Sequence, residues 1–323
     1  MSVKNNKMET GPLVSILSPC YNVGQYLPQC LDSIIGQTYR NLQIVCIDDG
    51  SKDNTWNVLQ EYVTRDSRVE IYHQENAGVA AARNNLLSHV KGDYVLFVDS
   101  DDWIEPDMVE FLVEKSRAKD ADIVICGMVK NEVACSKEYQ EELMDQETTI
   151  KKFLFHKELS GSLWNKLVKT SLLHNIRFDN RISYGEDALF CWQVLQRVHV
   201  VVQATKQLYH YRMNEVSISH QDWTPQKKGS GFIVWKTIAD EAKQWWPQYA
   251  DIGFARYAVE DMWGLYYASL ANYPYDEHIK ERQVNIRKNL KLIRKSGLVS
   301  KNKIVTAYAL AYCYTLGKLL RYV

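Results

Sequence analysis

The stretch Tyr94-Val95-Leu96-Phe97-Val98-Asp99-Ser100-Asp101-Asp102 sets five apolar residues directly against three carboxylates. A short apolar run of this kind reads as a strand buried on both faces. Acids at the carboxyl end of such a strand lie where open α/β sheets keep their ligands. The arrangement recurs on either side. The run 42–47 (LQIVCI) leads into Asp48-Asp49-Gly50-Ser51-Lys52-Asp53, and 13–18 (LVSILS) leads into Pro19-Cys20-Tyr21-Asn22. Between these runs, helix-spaced Leu27, Leu31, Ile34 and Ile35 predict a helix over 25–37, with further helices over 55–63 and 78–90 and a strand over 69–72. A helix over 106–118, with Pro106 just inside its start, and a strand over 123–126 complete the series. Strands alternating with helices at this spacing predict a parallel sheet covered on both faces.

The alternation stops near Gly127. Short helices are expected over 150–156, 165–173 and 187–197, short strands over 198–202 and 207–211, and then helices over 225–246, 250–271, 276–295 and 301–321. The whole chain, 323 residues with 46% hydrophobic content, is long enough for one large domain or one and a half. Lys plus Arg and Asp plus Glu both number 39, which gives no reason to expect a nucleic-acid partner. The balance conceals an asymmetry, since residues 280–323 hold eleven Lys or Arg and one acid, Glu281. The seven cysteines are scattered without a C-x-x-C spacing, which suits buried free thiols in a reducing compartment. Residues 1–11 are polar and lack the apolar core of a signal peptide, so a disordered leader is expected. The apolar stretch 304–317 is too short and too rich in Tyr for a membrane span.

The chemistry starts from an absence. No G-x-G-x-x-G and no phosphate-binding P-loop follows the first strand. Two adjacent acids at a strand end, Asp48 and Asp49, repel each other unless a donor is supplied, and a base or ribose offers donors; Asp53 or Asn54 reads equally as a helix cap. Asp99-x-Asp101 offers the hard oxygen ligands that Mg2+ and Mn2+ prefer, and two or fewer protein carboxylates leave positions for diphosphate oxygens. A solvated run of charge is the alternative, and the abutting VLFV argues against it.

Pro19-x-Tyr21-Asn22, Asp48-Asp49-Gly50-Ser51-x-Asp53, Asn76-x-Gly78-x-x-x-Ala82-Arg83-Asn84, Asp99-Ser100-Asp101-Asp102 and Glu186-Asp187, in this order and spacing, resemble glycosyltransferase family 2. The resemblance covers roughly residues 12–220. It implies an α/β GT-A fold, Rossmann-like and mostly parallel, with helices on both faces and a helical carboxyl-terminal extension. It also implies a nucleoside-diphosphate sugar donor, a divalent metal (Mn2+ or Mg2+) and inversion at the anomeric carbon. The segment Trp164-Asn165-Lys166-Leu167 resembles bacterial members that build surface glycans. On this reading residues 12–127 form the nucleotide-sugar half, 128–220 the acceptor half and 221–323 the helical region.

By the same resemblance Pro19, Tyr21 and Asn22 line the base and ribose, and Asp48 or Asp49 accepts from uracil. Asn76, Gly78 and Arg83 flank the donor, with Arg83 open to a structural ion pair and Asn76 to a helix cap. Asp101 is the first metal ligand, with Asp99 assisting and Ser100 between them. Asp187 is the general base, Glu186, Trp164 and Lys166 support the acceptor, and Arg212, with His210 beside it, supplies a basic group to the diphosphate. A nucleotidyltransferase would carry a Gly-rich basic loop where Cys20-Tyr21-Asn22 stands. A non-catalytic sugar-nucleotide-binding subunit would be expected to have lost one of the acids. A processive polymerase would carry Gln-x-x-Arg-Trp, which this chain lacks. The acceptor is expected to be a glycan or lipid-linked hydroxyl. The basic residues before 304–320 suit either a peripheral membrane contact or a packing or homodimer face through Tyr308, Ala311, Tyr312, Thr315 and Leu319.

Overall fold

The computed structural model describes residues 11–130, 138–155, 159–213 and 230–322. The expected leader lies outside these residues apart from Gly11, as do Cys135 and the first residues of the helix expected from 225. The chain forms two compact units, and they are interleaved in sequence. The first comprises Met1–Met144, Leu163–Asn175 and Val198–Arg212, and the second Asp145–Ser162, Ile176–Arg197 and Met213–Val323. The expected division into contiguous stretches, 12–220 and 221–323, thus runs differently from the compact units.

The first unit is built on one sheet. Its strands are β1 (Val14–Cys20), β2 (Leu42–Asp48), β3 (Val69–His73), β4 (Tyr94–Phe97), β5 (Trp103–Ile104), β6 (Ile123–Lys130), β7 (Glu141–Met144), β8 (Lys166–Lys169) and β9 (Val201–Tyr211). They lie in the order β3-β2-β1-β4-β8-β6-β9-β5, with β7 also paired to β9. β1, β2, β3, β4, β6 and β9 run in one direction and β5, β7 and β8 oppose them. All seven residues of β2 are buried, as expected of a strand covered on both faces. α1 (Leu27–Ile35), α2 (Thr55–Arg65), α3 (Val79–Ser88) and α4 (Met108–Lys119) supply the cover. α1 buries Leu27, Cys30, Leu31 and Ile34, the i, i+3, i+4, i+7 stripe of an amphipathic helix.

Three expectations are corrected here. β1 does not stop before Pro19 but continues to Cys20 along β2. Pairing with β4 has ended at Leu17, and the Pro19 carbonyl accepts from Ser100 Oγ at 2.7 Å. The donor that proline lacks therefore faces a side where no ladder continues. Residues 165–173 are not a helix; β8 runs antiparallel between β4 and β6 and is followed by a 3-10 turn, Thr170–Leu173. Lys166, Leu167 and Val168 are all buried, and Asn165 Nδ2 donates to Cys126 O at 2.7 Å at the strand's entry. The two strands expected over 198–211 are one, β9, whose register against β6 shifts at Gly127. A Cβ there would sit 2.7 Å from the Thr205 carbonyl oxygen, so only glycine admits this close approach.

The second unit is helical: α5 (Gln146–Phe155), α6 (Glu186–Leu195), α7 (Gly231–Trp245), α8 (Ala250–Leu270), α9 (Glu277–Ser296) and α10 (Lys301–Tyr312). Met262, Leu265, Ile279, Ile286, Ile293 and Leu310 lie in its core. Asp276 caps α9 by accepting from Ile279 N, and Gly297 ends it in the left-handed conformation. The helix expected to reach 321 ends at Tyr312, and a 3-10 segment, Tyr314–Tyr322, follows. Tyr314 OH donates to the Tyr273 carbonyl at 2.9 Å and draws the chain off the helical path. No described helix is long and apolar enough to cross a membrane. Cys20, Cys30, Cys46, Cys126 and Cys191 are buried free thiols, whereas Cys313 is exposed.

Candidate active site

Because β1, β2, β4 and β9 run the same way, their carboxyl ends bring Pro19–Asn22, Asp48–Asp53, Asp99–Asp102 and Arg212 to one edge of the sheet. The loop after β4 is held from several sides. Asp102 is 1% exposed; its Oδ2 accepts from Tyr209 OH at 2.6 Å and its Oδ1 from Arg212 N at 2.8 Å. Tyr209 OH in turn accepts from Asp99 N at 3.2 Å. Ser100 Oγ ties the loop to the end of β1 through the Pro19 carbonyl. Burial, followed by repulsion from Asp99 and Asp101, pushes the Asp102 carboxyl up to about 8.

Asp102 is thus a positioning residue, while Asp99 and Asp101 remain partly exposed beside it. Among the described residues no group of three or more Asp, Glu, His or Cys side chains stands close enough to hold a metal by itself. Two partly exposed carboxylates side by side fit a hard cation that completes its shell with diphosphate oxygens and water. Arg83, on α3, is buried and pairs with Asp99, Nη2 standing 3.4 Å from its Oδ1.

Arg212 follows β9 directly. Its Nε donates to the Asp101 carbonyl at 2.8 Å, its Nη2 donates to Gln29 Oε1, and its guanidinium lies over the rings of Tyr26 and Trp103 at 5.0 and 4.7 Å. Arg212 is thus bonded to the Asp99–Asp102 loop. His210 turns instead to Glu105 Oε1, 2.6 Å away, and stacks on Trp103 at 4.8 Å.

The loop after β2 is shaped by its own acids. Asp48 is wholly enclosed, accepting from Ser51 N at 3.2 Å and meeting His73 Nδ1 at 2.8 Å. Asp49, 4% exposed, accepts from Gln74 Nε2 at 2.7 Å, Ala77 N at 2.9 Å and Gly78 N at 2.9 Å. Each acid therefore fixes a loop through its protein partners. Asn76 Nδ2 donates to the Asp49 carbonyl at 3.0 Å, and Gly78, with φ of +87°, opens α3 in a conformation that L side chains rarely adopt. Asn22, at φ of +52°, accepts from Lys52 N through Oδ1 at 2.8 Å, and its own N donates to Ser51 Oγ at 2.9 Å. Asp53 accepts from Gly24 N and Thr55 N, at 2.9 and 3.0 Å, and so ties the loop to the start of α2, whose N-cap position is Asn54. Tyr21 is half exposed at the same edge.

Trp164 stacks on Tyr209 and Tyr211, with ring centroids 4.5 and 5.8 Å apart, and so backs the tyrosine that holds Asp102 and Asp99. Lys166 is buried and donates through Nζ to Asn165 Oδ1 at 2.9 Å. Glu186 and Asp187 belong to the second unit. They form the first turn of α6, which favours acids because the helix N-terminus carries partial positive charge. Asp187 Oδ1 accepts from Ala188 N at 2.8 Å. The loop before them is strapped by Ser230, whose Oγ accepts from Ser183 N at 3.1 Å and Tyr184 N at 2.9 Å and donates to the Tyr184 carbonyl at 3.2 Å. Sequence reasoning missed Tyr209 and Ser230. Their sole signal was residue type, a polar side chain on a strand or before a helix, and many such residues have no role.

Residues 15–177 match the family model described as Glycosyl transferase family 2. The chain is 38% identical over 224 residues to the glycosyltransferase GlyA of Streptococcus pneumoniae, a match covering 65% of this chain and 32% of GlyA. It is 33% identical over 244 residues to the putative glycosyltransferase EpsH of Bacillus subtilis, covering 72% of this chain and 69% of EpsH. Its fold superposes on the crystal structure of S. aureus TarS 1–349 in complex with UDP-GlcNAc with a TM-score of 0.70 at 19% identity, over 95% of this chain and 89% of that one. The α/β sheet with carboxylates gathered at its strand ends, the family match and the kinship with GlyA and EpsH agree: the chain belongs to glycosyltransferase family 2 and has the GT-A fold.

Proposed function

We propose that this glycosyltransferase moves one sugar from a UDP-linked donor to a hydroxyl of a glycan or lipid-linked acceptor in cell-surface polysaccharide synthesis, with a divalent cation, Mn2+ or Mg2+, and inversion at the anomeric carbon. The observation that carries the reading is the loop after β4. Asp102 is consumed in holding it, and Asp99 and Asp101 are left half exposed at the edge where Pro19, Asn22 and Arg212 also lie. Support for the uridine donor comes from the shared fold with TarS, whose structure holds UDP-GlcNAc.

Asp101 is the metal ligand with Asp99 beside it, and Arg212 and Arg83 face the diphosphate. A cation held there neutralises charge that grows on the departing nucleoside diphosphate, so its effect is larger in the transition state than in the ground state. Asp49 is the residue that accepts from the uracil ring N–H. A carboxylate has about four acceptor sites; three of Asp49's are occupied by protein donors, whereas Asp48 is sealed. Pro19, Tyr21 and Asn22 line the base and ribose, and Asn76 and Gly78 shape the loop beside them. Asp187 is the general base that takes the proton of the acceptor hydroxyl as its oxygen attacks opposite the leaving group, with Glu186, Trp164 and Lys166 supporting the acceptor side. The buried free thiols suit a reducing, cytoplasmic setting.

Proton NMR of the transfer product tests the mechanism. A single displacement gives the anomer opposite to that of the donor, and retention rejects it. Asp187→Asn is expected to keep UDP affinity within about twofold while turnover falls at least about a hundredfold, the usual share of a general base. Unchanged turnover at saturating acceptor would remove Asp187 from that role.

A further inference from the structure

We infer that the outer face of the α9–α10 hairpin docks on an anionic lipid bilayer. The observation that carries this is a helix with two apolar sides. α10 buries Thr306, Ala307, Leu310 and Ala311 against its own unit. Its opposite side presents Lys301, Val305, Tyr308 and Tyr312, spaced i, i+4, i+7, i+11 on one stripe, with Val305 59%, Tyr308 42% and Tyr312 69% exposed. Leu319, in the 3-10 segment beyond, is 69% exposed. Three large side chains in a row facing water are unusual on a helix whose other side already fills a core. Of Tyr308, Ala311, Tyr312, Thr315 and Leu319, Ala311 alone is buried against this chain.

The charge around the stripe identifies the occupant. Arg287 Nη1 donates to the Ala311 carbonyl at 2.6 Å, and its guanidinium lies 5.9 Å from the Tyr312 ring. With α9 ending at Ser296 and α10 starting at Lys301, that contact fixes an antiparallel hairpin. In its register Lys291 falls beside the level of Tyr308, and Arg294 and Lys295 fall near that of Val305 and Lys301; all three are exposed. Lys303 Nζ sits 5.3 Å from the Trp263 ring and 6.0 Å from that of Tyr266, within a cluster formed with Tyr267. The exposed stripe is thus flanked by cations, and Trp and Tyr beside Lys and Arg are the side chains that settle at the headgroup level of a bilayer. Residues 280–323 hold eleven basic residues and one acid, a composition that attracts an anionic leaflet and opposes a second copy of the same face.

Flotation of the full-length protein with vesicles tests this. Binding to phosphatidylcholine vesicles containing phosphatidylglycerol is expected, with sharp weakening as salt is raised and little binding to phosphatidylcholine alone. The double variant Lys291→Glu/Lys295→Glu is expected to lower the bound fraction's association constant at least about tenfold. Tyr308→Ser/Tyr312→Ser is expected to weaken binding at unchanged salt dependence. Both should keep the wild-type melting temperature and UDP affinity, which separates a failure here from a failure of the donor-site reading. Equal binding to neutral vesicles, binding to neither, or a dimer in light scattering that dissolves in the Tyr308→Ser/Tyr312→Ser variant would overturn the inference.

Discussion

Asp99, Asp101 and Asp102 are near neighbours in sequence, yet the structure divides their duties. Both oxygens of Asp102 are held by Tyr209 and Arg212, while Asp99 and Asp101 keep partly exposed carboxylates. Asp101→Ala is accordingly expected to abolish metal-dependent UDP binding and nearly all turnover while the melting temperature stays within a few degrees; wild-type Mn2+ dependence in that variant would remove Asp101 from the site. Tyr209→Phe is expected to act differently. It strips a donor from buried Asp102 and an acceptor from Asp99 N, at a cost of about 1–3 kcal/mol in stability, measurable by urea denaturation, together with a loss of turnover. The carboxylates were legible in the sequence because acids abutting an apolar strand are rare. Tyr209 was not, since its partner is 107 residues away and nothing local marks the bond.

At the scale of elements, most of those expected are present, and the main differences lie at residues 165–173, at 198–211 and at the end of the last helix. β1 through β4, with the helices between them, fall close to the expected positions, because five- to seven-residue apolar runs and helical stripes each satisfy one geometry. β8 was misread as helix because Lys166-Leu167-Val168-Lys169 is too short to carry a period, and only insertion between β4 and β6 makes it a strand. Ser230 acts at this scale too. By taking two N–H groups and returning its hydrogen to Tyr184 it fixes the loop that presents Asp187. Ser230→Ala is expected to lower kcat several-fold with the donor KM unchanged, and Ser230→Thr to restore most of it; a raised donor KM with normal kcat would contradict that placement.

Across the molecule, the helical unit keeps a buried ion pair. Asp261 Oδ1 accepts from Arg282 Nη1 at 3.0 Å and its Oδ2 from Asn285 Nδ2 at 2.7 Å. Burial pushes the Asp261 carboxyl up to about 7 against the pull of both partners. A carboxyl whose folded value is raised binds its proton more tightly folded than unfolded, so the stability it contributes is full below about pH 4 and is lost as pH rises towards 7. Denaturation midpoints measured across that window should fall with pH in the wild type, and Asp261→Asn should flatten this slope.

The strand-end loops are proposed to form a metal-dependent site for a uridine diphosphate. Thermal unfolding with UDP, with GDP and with neither, each in the presence of Mn2+ or of EDTA, tests it most directly. A ligand at a hundredfold its Kd stabilises the native state by about 2.7 kcal/mol, a shift of several degrees that unfolding resolves. The melting temperature is expected to rise with UDP and Mn2+, to rise much less with UDP and EDTA, and to change little with GDP. Equal shifts with and without Mn2+, or a preference for GDP, would contradict that proposal.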